Sequence, residues 1–223
     1  MEKNYRHEYK FLISRASAEN LRLRLPHFMQ RDSHVGPTGC YTIRSLYFED
    51  LEFSAFREKV DGVDNRTKYR IRCYDYNARL LKLERKEKKG HLTRKESQTI
   101  TVRDAMNLQR CMPGLCPDHP EGLTKELHDK LLQPRILVDY DRTPFVCNAG
   151  NTRITLDENL RTRPYSTDLF ASPDAMIPVL DDDQVILEVK FDDFLPGYLS
   201  EVLADIPRVP MAISKFAFCM SLL

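Results

Sequence analysis

The segment KYRIRCYDY, Lys68 to Tyr76, alternates Lys68, Arg70, Arg72 and Tyr74 with Tyr69, Ile71 and Cys73. Successive side chains of a strand point to opposite faces, so three cations share one face and apolar residues take the other. The same parity recurs along the chain. RHEYKF sets Arg6, Glu8 and Lys10 against Tyr9 and Phe11, and LLKLERK sets Lys82, Glu84 and Lys86 against Leu81 and Leu83. VILEVKF sets Glu188 and Lys190 against Leu187, Val189 and Phe191; Tyr140 is in phase with Arg142, and Arg153 with Asp157. Lys and Arg repeated in this way suit phosphate, which Arg binds through a planar fork and Lys as a point charge. The minority carboxylates, Glu8, Glu84 and Glu188, offset only part of the positive charge and can hold a hard divalent cation that bridges phosphates.

One such strand also reads as the solvated face of an antiparallel sheet. Two features argue for closure. The charged parity is sustained from strand to strand, and several amphipathic segments need an apolar sheet face to cover. With helices outside, the charged faces look inward across a barrel, and closure removes exposed strand edges. The expected fold is α+β: an antiparallel β-barrel of about eight strands forming a charged tunnel, with helices packed outside. Strands are predicted at Tyr5 to Ile13, CYTIRSLYFED, KYRIRCYDY, RLLKLERKEK, LTRKESQTITV, PRILVDYDRTPFV, TRITLDENLRT and QVILEVKFDD. Helices are predicted in AENLRLRLPHFM, with Leu21, Leu25 and Phe28 on one stripe behind a Ser14 or Ser17 cap, and in LEFSAFREKV, RDAMNLQRC, LTKELHDKLL, YLSEVLADI and AISKFAFCMSLL.

The formal net charge of 223 residues is only +1, so the cations act by local placement, with acidic residues elsewhere. Residues 1–223 read as one domain. The six cysteines form no CxxC pair; Cys111 and Cys116 with His119 lack two further ligands at zinc spacing, and the set reads as reduced thiols. His7, His34, His91 and His119 show no ligand spacing, and no Ser-His-Asp or Cys-His arrangement is evident. Lys88 and Lys89 flank the Gly90 turn and read as solvated charges or an entrance patch, and Arg153 with Asp157 reads as a structural pair. Nucleic acid is disfavoured as a partner, because most aromatics have the parity opposite to the cations. No run approaches a membrane span and no apolar leader follows Met1, so the expected location is cytoplasmic.

The charged strands together carry a resemblance. RHEYK, YTIRSLYFED, KYRIRCY, LERKEKKG with TRKES, YDRTPF, TRITLDENL, ILEVKF and the terminal SKF occur in order over nearly the whole chain. The set resembles the triphosphate tunnel metalloenzymes, most closely the catalytic domain of vacuolar transporter chaperone (VTC) polyphosphate polymerases. That resemblance implies phosphate contacts from Lys10, Arg70, Arg72, Lys86, Arg142 and Lys215, with Tyr140 and Ser214 as polar neighbours and Glu188 on the metal. Arg94 and Lys95 are both candidates for one further lysine position. Lys82 and Lys190 are added from strand parity, and Glu8 as a second metal carboxylate. The implied activity is phosphoryl transfer dependent on Mn²⁺ or Mg²⁺, making polyphosphate from a nucleoside triphosphate on a phosphate or polyphosphate acceptor. The alternatives are an inorganic triphosphatase or a polyphosphate-binding module without catalysis. Hydrolytic tunnel enzymes have an ExExK first strand; here Arg6 takes the first glutamate position, which favours holding a long polyanion over activating water. Family polymerases carry regulatory or membrane-anchoring regions that this sequence does not show, which leaves room for a membrane or regulatory partner.

Overall fold

The strand pairing closes on itself. The computed structural model describes residues 5–33, 35–90, 92–110, 121–206 and 210–223. Its strands are β1 (Arg6–Ser14), β2 (Gln30–Arg31), β3 (Tyr41–Glu49), β4 (Asn65–Tyr74), β5 (Asn77–Lys89), β6 (Leu92–Ile100), β7 (Gln133–Cys147), β8 (Thr152–Arg163), β9 (Ile177–Pro178) and β10 (Gln184–Phe191). Its α-helices are α1 (Arg15–Arg24), α2 (Ser54–Val60), α3 (Val102–Arg110), α4 (Gly122–Asp129), α5 (Gly197–Val202) and α6 (Lys215–Met220). The order β7-β3-β4-β5-β6-β1-β10-β8 is antiparallel throughout, and pairing of β8 with β7 completes an eight-stranded barrel. The short strands β2 and β9 extend its margins. The β1–β6 seam is the weakest, with Arg6 opposite Thr93 and His7 opposite Leu92 as its only paired positions among the described residues.

Apolar residues of the alternating pattern face outward and are covered by helices. Leu187 and Val189 of β10 pack with Ala18 and Leu21 of α1 and with Leu199 and Val202 of α5. Ile71 of β4 and Leu83 of β5 pack with Ala105 and Leu108 of α3 and with Leu123 and Leu127 of α4. Burying each such Leu, Ile or Val side chain stabilises the barrel by about 1.5–3 kcal/mol. The Ser14 hydroxyl caps α1, accepting from the Ser17 backbone N–H at 3.1 Å. Leu21 and Leu25 are buried as the stripe predicts, but Phe28 is 47 % exposed, because α1 ends at Arg24 and Leu25–His27 tighten into a 3₁₀ turn around Pro26.

A third cluster lies inside the barrel. Phe216, Cys219 and Met220 of α6 pack against the inward-facing Ile43, Tyr47, Ile136, Val138 and Tyr140, so this helix plugs one end of the lumen. The preceding segment is bound to the first strand, Met211 N–H donating to the Lys10 carbonyl at 2.8 Å.

The two-residue turn joining β4 to β5 has both central residues, Asp75 and Tyr76, in the left-handed region (φ 48° and 55°), as the twist of a tight hairpin demands. Side chains hold it there. The Asp75 carboxylate accepts from the Thr42 N–H at 2.8 Å, and the Tyr76 hydroxyl donates to Asp139 at 3.2 Å. Asp139 also forms a fully buried pair with Arg44 at 2.8 Å, whose guanidinium lies over the Tyr76 ring. Cys40, Cys73, Cys147 and Cys219 are free thiols. The candidate ligands Cys111, Cys116 and His119, with His34 and His91, lie outside the described residues. No helix among the described residues is long and apolar enough to cross a membrane.

Candidate active site

Because the inward parity is charged on nearly every strand, closing the sheet concentrates that charge in one space. A cavity of about 570 Å³ lies inside the barrel, lined by fourteen Lys or Arg side chains and two carboxylates among the described residues. Strand register sets their neighbours. Lys10 of β1 stands opposite Glu188 of β10, and Glu8 opposite Lys190. Arg70 of β4 stands opposite Glu84 of β5, Lys68 opposite Lys86, and Lys86 opposite Lys95 of β6. Arg142 of β7 stands opposite Asp157 of β8.

Four inward carboxylates organise these cations. Glu8 lies 2.7 Å from Lys86 and 3.3 Å from Lys190. Glu188 lies 3.3 Å from Lys10, 3.2 Å from Arg142, and hydrogen-bonds Lys190. Glu84, fully buried, takes Arg70 at 2.8 Å and Lys95 at 2.9 Å. Asp157, also fully buried, takes Arg142 through two bonds of 2.6 Å and Lys215 at 2.5 Å. Burial alone would favour the neutral acids, but the surrounding cations outweigh it. The Glu8 carboxyl falls to about 2 beside Lys10, Lys86 and Lys190, and Glu84, Asp157 and Glu188 are likewise held below the carboxylate range.

The cations are pulled in both directions. Burial lowers Lys10, yet Glu8 and Glu188 more than compensate and its affinity for the proton rises. Lys86 goes the other way, to about 7: burial, with help from Lys10 and Lys190, prevails over Glu8. Lys68 is pushed well below the lysine range by burial and by Lys10, Arg66 and Lys59. Such crowding is expensive without an anion. Arg72 shows the same want: its buried Nε has no hydrogen-bond partner among the described residues and stands 3.6 Å from Glu84.

Lys10, Arg70, Arg72, Lys86, Arg142, Glu188, Lys215, Glu8, Tyr140, Lys190 and Ser214 all line the cavity. Lys95 does too, whereas Arg94 has the outward parity of β6 and lies 4.0 Å from Glu87, so Lys95 is the inward member of that pair. Lys82 is a correction. It has inward parity, but it sits opposite Thr99 near the end of β6, beyond the stretch of β5 that borders the cavity. Parity chooses the face, and height along the barrel decides access. Arg153 and Asp157 do not pair with each other; Arg153 binds Asp32 at 2.8 Å, and Asp157 is taken by Arg142 and Lys215. Lys88 lines the cavity while Lys89 is exposed beside the Tyr5 ring.

A minority of the aromatics share the lumen with the cations. Tyr41, Tyr47, Tyr74, Tyr140 and Phe216 line the cavity. Cations cover several of these rings: Arg70 lies over Tyr47, Arg72 over Tyr74, Lys215 over Tyr140 and Lys68 over Phe216. Lys59 and Asp157 carried no site signal in the sequence. Lys59 reaches the lumen from α2, outside any strand parity, and Asp157 matters through the partners that β7 and α6 bring to it.

Among the described residues no three His, Cys, Asp or Glu side chains form a ready metal cluster. Glu8 and Glu188 nevertheless share Lys10 and Lys190 as partners, which brings both carboxylates to one place. Mg²⁺-type ions are commonly held by one or two carboxylates with phosphate oxygens and water filling the other positions. The residues therefore fit a hard cation that arrives with a phosphate chain.

Solved structures share this architecture at low identity. A protein from Bacillus halodurans proposed to be an adenylate cyclase matches at 16 % identity, 95 % of each chain and a TM-score of 0.55. The Hippeastrum protein HpAC1, proposed to be an adenylyl cyclase and described as having a dominant triphosphatase activity, matches at 16 % identity, 97 % of this chain and 95 % of its own, with a TM-score of 0.59. PH1819 from Pyrococcus horikoshii matches at 11 % identity, 98 % of this chain and 100 % of its own, with a TM-score of 0.51. No curated protein sequence matches the chain. The VTC domain model matches residues 5–223, the whole of the closed, cation-lined barrel, and the chain belongs to the VTC domain family.

Proposed function

We propose that this chain is a metal-dependent phosphotransferase of the polyphosphate polymerase type, passing the γ-phosphoryl of a nucleoside triphosphate to phosphate or polyphosphate. The observation that carries the reading is the excess of cations over carboxylates in an enclosed cavity, with Glu8 and Glu188 brought together inside it. Membership of the VTC domain family supports it.

The residues divide the work. Arg142 gives Nε and Nη2 to Asp157 and Glu188, and Nη1, without a hydrogen-bond partner among the described residues, can meet a phosphate oxygen. Asp157 also anchors Lys215, fixing α6 against the lumen. Arg70 and Arg72 are oriented by Glu84, and the unbonded Nε of Arg72 is a donor already stripped of partners. A Mn²⁺ or Mg²⁺ held by Glu8 and Glu188 would neutralise phosphate charge during transfer. Phosphoryl transfer needs chiefly positioning and charge stabilisation, and fixed cations in a poorly solvated space supply both.

Arg6 supports polymerisation over hydrolysis. It binds Asp192 and the Asn151 carbonyl at the rim, so β1 brings one carboxylate inward where hydrolytic relatives have two. Hydrolysis stays the second reading because of the triphosphatase activity described for the Hippeastrum neighbour. Incubation with ATP and Mn²⁺, assayed separately for long-chain polyphosphate and for orthophosphate, tests the proposal. Polyphosphate accumulation is expected; stoichiometric orthophosphate without polymer overturns it in favour of a triphosphatase.

A further inference from the structure

The helix α2 depends on its neighbours. Seven residues are too few for a helix to persist alone. Phe53 precedes it in the left-handed region (φ 55°) and gives its first turn no side-chain cap. Two acids at the end of β3 take that role: Asp50 accepts from the Ser54 N–H at 2.9 Å, and Glu49 from the Ala55 N–H at 3.1 Å. Behind the turn, the Arg135 guanidinium of β7 lies 4.2 Å from the centre of the Phe53 ring. Phe53 and Phe56 pack on the cluster that contains Phe216. What α2 carries is Lys59, which reaches the cavity from outside the strands.

The two acids differ in their surroundings. Asp50 is partly exposed, and despite burial the Ser54 amide and hydroxyl hold its carboxyl below the usual range. Glu49 is 2 % exposed, and its Oε1 has no hydrogen-bond partner among the described residues. Gln133, opposite Glu49 on β7, is uncharged. Burial raises the Glu49 carboxyl to about 7 and Asp50 adds to the rise, while the Ala55 and Phe56 amides and Lys68 of β4 offset only part. A carboxylate with one oxygen unpartnered is costly in such a place, whereas the neutral acid still offers Ala55 a carbonyl oxygen. Seated α2 therefore favours the protonated acid, and any opening that wets Glu49 favours the ion. With a solvated value of 4.5 against about 7 in place, the hold on α2 is full below 4.5, weakens as pH rises toward 7, and is weakest above it.

Resting on the reading of the cavity as a phosphate tunnel, we propose that Glu49 is a positioning residue: its neutral side chain clamps α2 to the end of β3 and so sets Lys59 toward a phosphate chain in the lumen. Phosphate binding then depends on a carboxyl that does not itself line the cavity.

Two measurements on the full chain test it. Amide hydrogen exchange across residues 54–60, without any ligand, reads the clamp. Corrected for intrinsic rates, protection in the wild type should fall about tenfold or more from pH 5 to pH 8. Glu49→Gln keeps an acceptor for Ala55 and cannot ionise, so its protection should stay level. Should that variant misfold, Asp50→Asn removes a charge that raises Glu49, and it should shrink the wild-type dependence without changing its direction. The second measurement is calorimetry with inorganic tripolyphosphate at pH 8. Glu49→Gln should bind about threefold or more tighter than wild type, and in a Lys59→Gln background the same change should alter affinity by less than about 1.5-fold. Level protection in the wild type, or a Glu49→Gln profile like that of the wild type, overturns the clamp. An equal effect of Glu49→Gln on affinity with and without Lys59, or no effect in either, overturns the route through that lysine. Wild-type protein that binds no tripolyphosphate overturns the tunnel reading, and the exchange profile still decides whether Glu49 holds α2.

Discussion

Glu188 touches two ammoniums and a guanidinium, so replacing it tests charge at the point where phosphate and metal would meet. Glu188→Gln keeps the volume. Metal-dependent turnover should fall by on the order of a hundredfold or more, while metal-free polyphosphate binding is retained or slightly tightened. Both are to be measured on one preparation, and normal turnover removes Glu188 from the mechanism. Lys86 offers a proton-linked check. Its pKa of about 7 means that it is largely neutral at pH 8 when the cavity holds no anion. A bound polyanion favours the charged form, so triphosphate binding at pH 8 should take up protons. Calorimetry in buffers of different ionisation enthalpy reads that uptake. Lys68 and Lys95 are depressed too, so Lys86→Arg should reduce the uptake rather than remove it.

Among the elements, α6 joins stability to the site. Its Phe216 is 2 % exposed and packs against Tyr47 in a tilted pair with 4.9 Å between centroids, while Lys215 beside it reaches Asp157. Phe216→Ala removes a buried aromatic ring from the plugged end and should cost about 3–5 kcal/mol in chemical denaturation. Because it also loosens the helix that aims Lys215, triphosphate affinity should fall. Leu83→Ala, on the outward face beneath α3 and α4, is the contrast: about 2–5 kcal/mol of stability, with affinity near wild type. Equal effects on affinity would mean that the outer core and the lumen are coupled through the strands.

For the whole molecule, the buried carboxylates set acid sensitivity. Glu8 has its carboxyl lowered from 4.5 to about 2, and Glu84, Asp157 and Glu188 shift in the same direction. Carboxylates depressed in the fold contribute stability that is complete above the unfolded value and lost as pH falls through the folded one. Thermal unfolding should therefore show Tm dropping between about pH 4.5 and pH 2, as the lumen loses its internal anions while keeping its cations. At pH 7, tripolyphosphate should raise Tm, with an increment that shrinks as salt is added. A salt-independent increment would place the anion away from this field.

Strand parity was legible because a period of two is a local property: KYRIRCY and VILEVKF declare their charged and apolar faces without any partner. Those faces imply a covered outside and a charged inside, and the helices and eight-stranded closure agree. The family was legible in the ordered motifs for the same reason. Three-dimensional neighbours were not. The sequence places Arg153 and Asp157 on one face, but which cation each acid meets depends on β7, α6 and the loop bearing Asp32. Lys59 enters from a helix, and Lys82 has inward parity yet stands outside the cavity. Parity specifies a direction; only the tilt, register and closure of the barrel decide which side chains converge, because electrostatic partnership depends on distance through space.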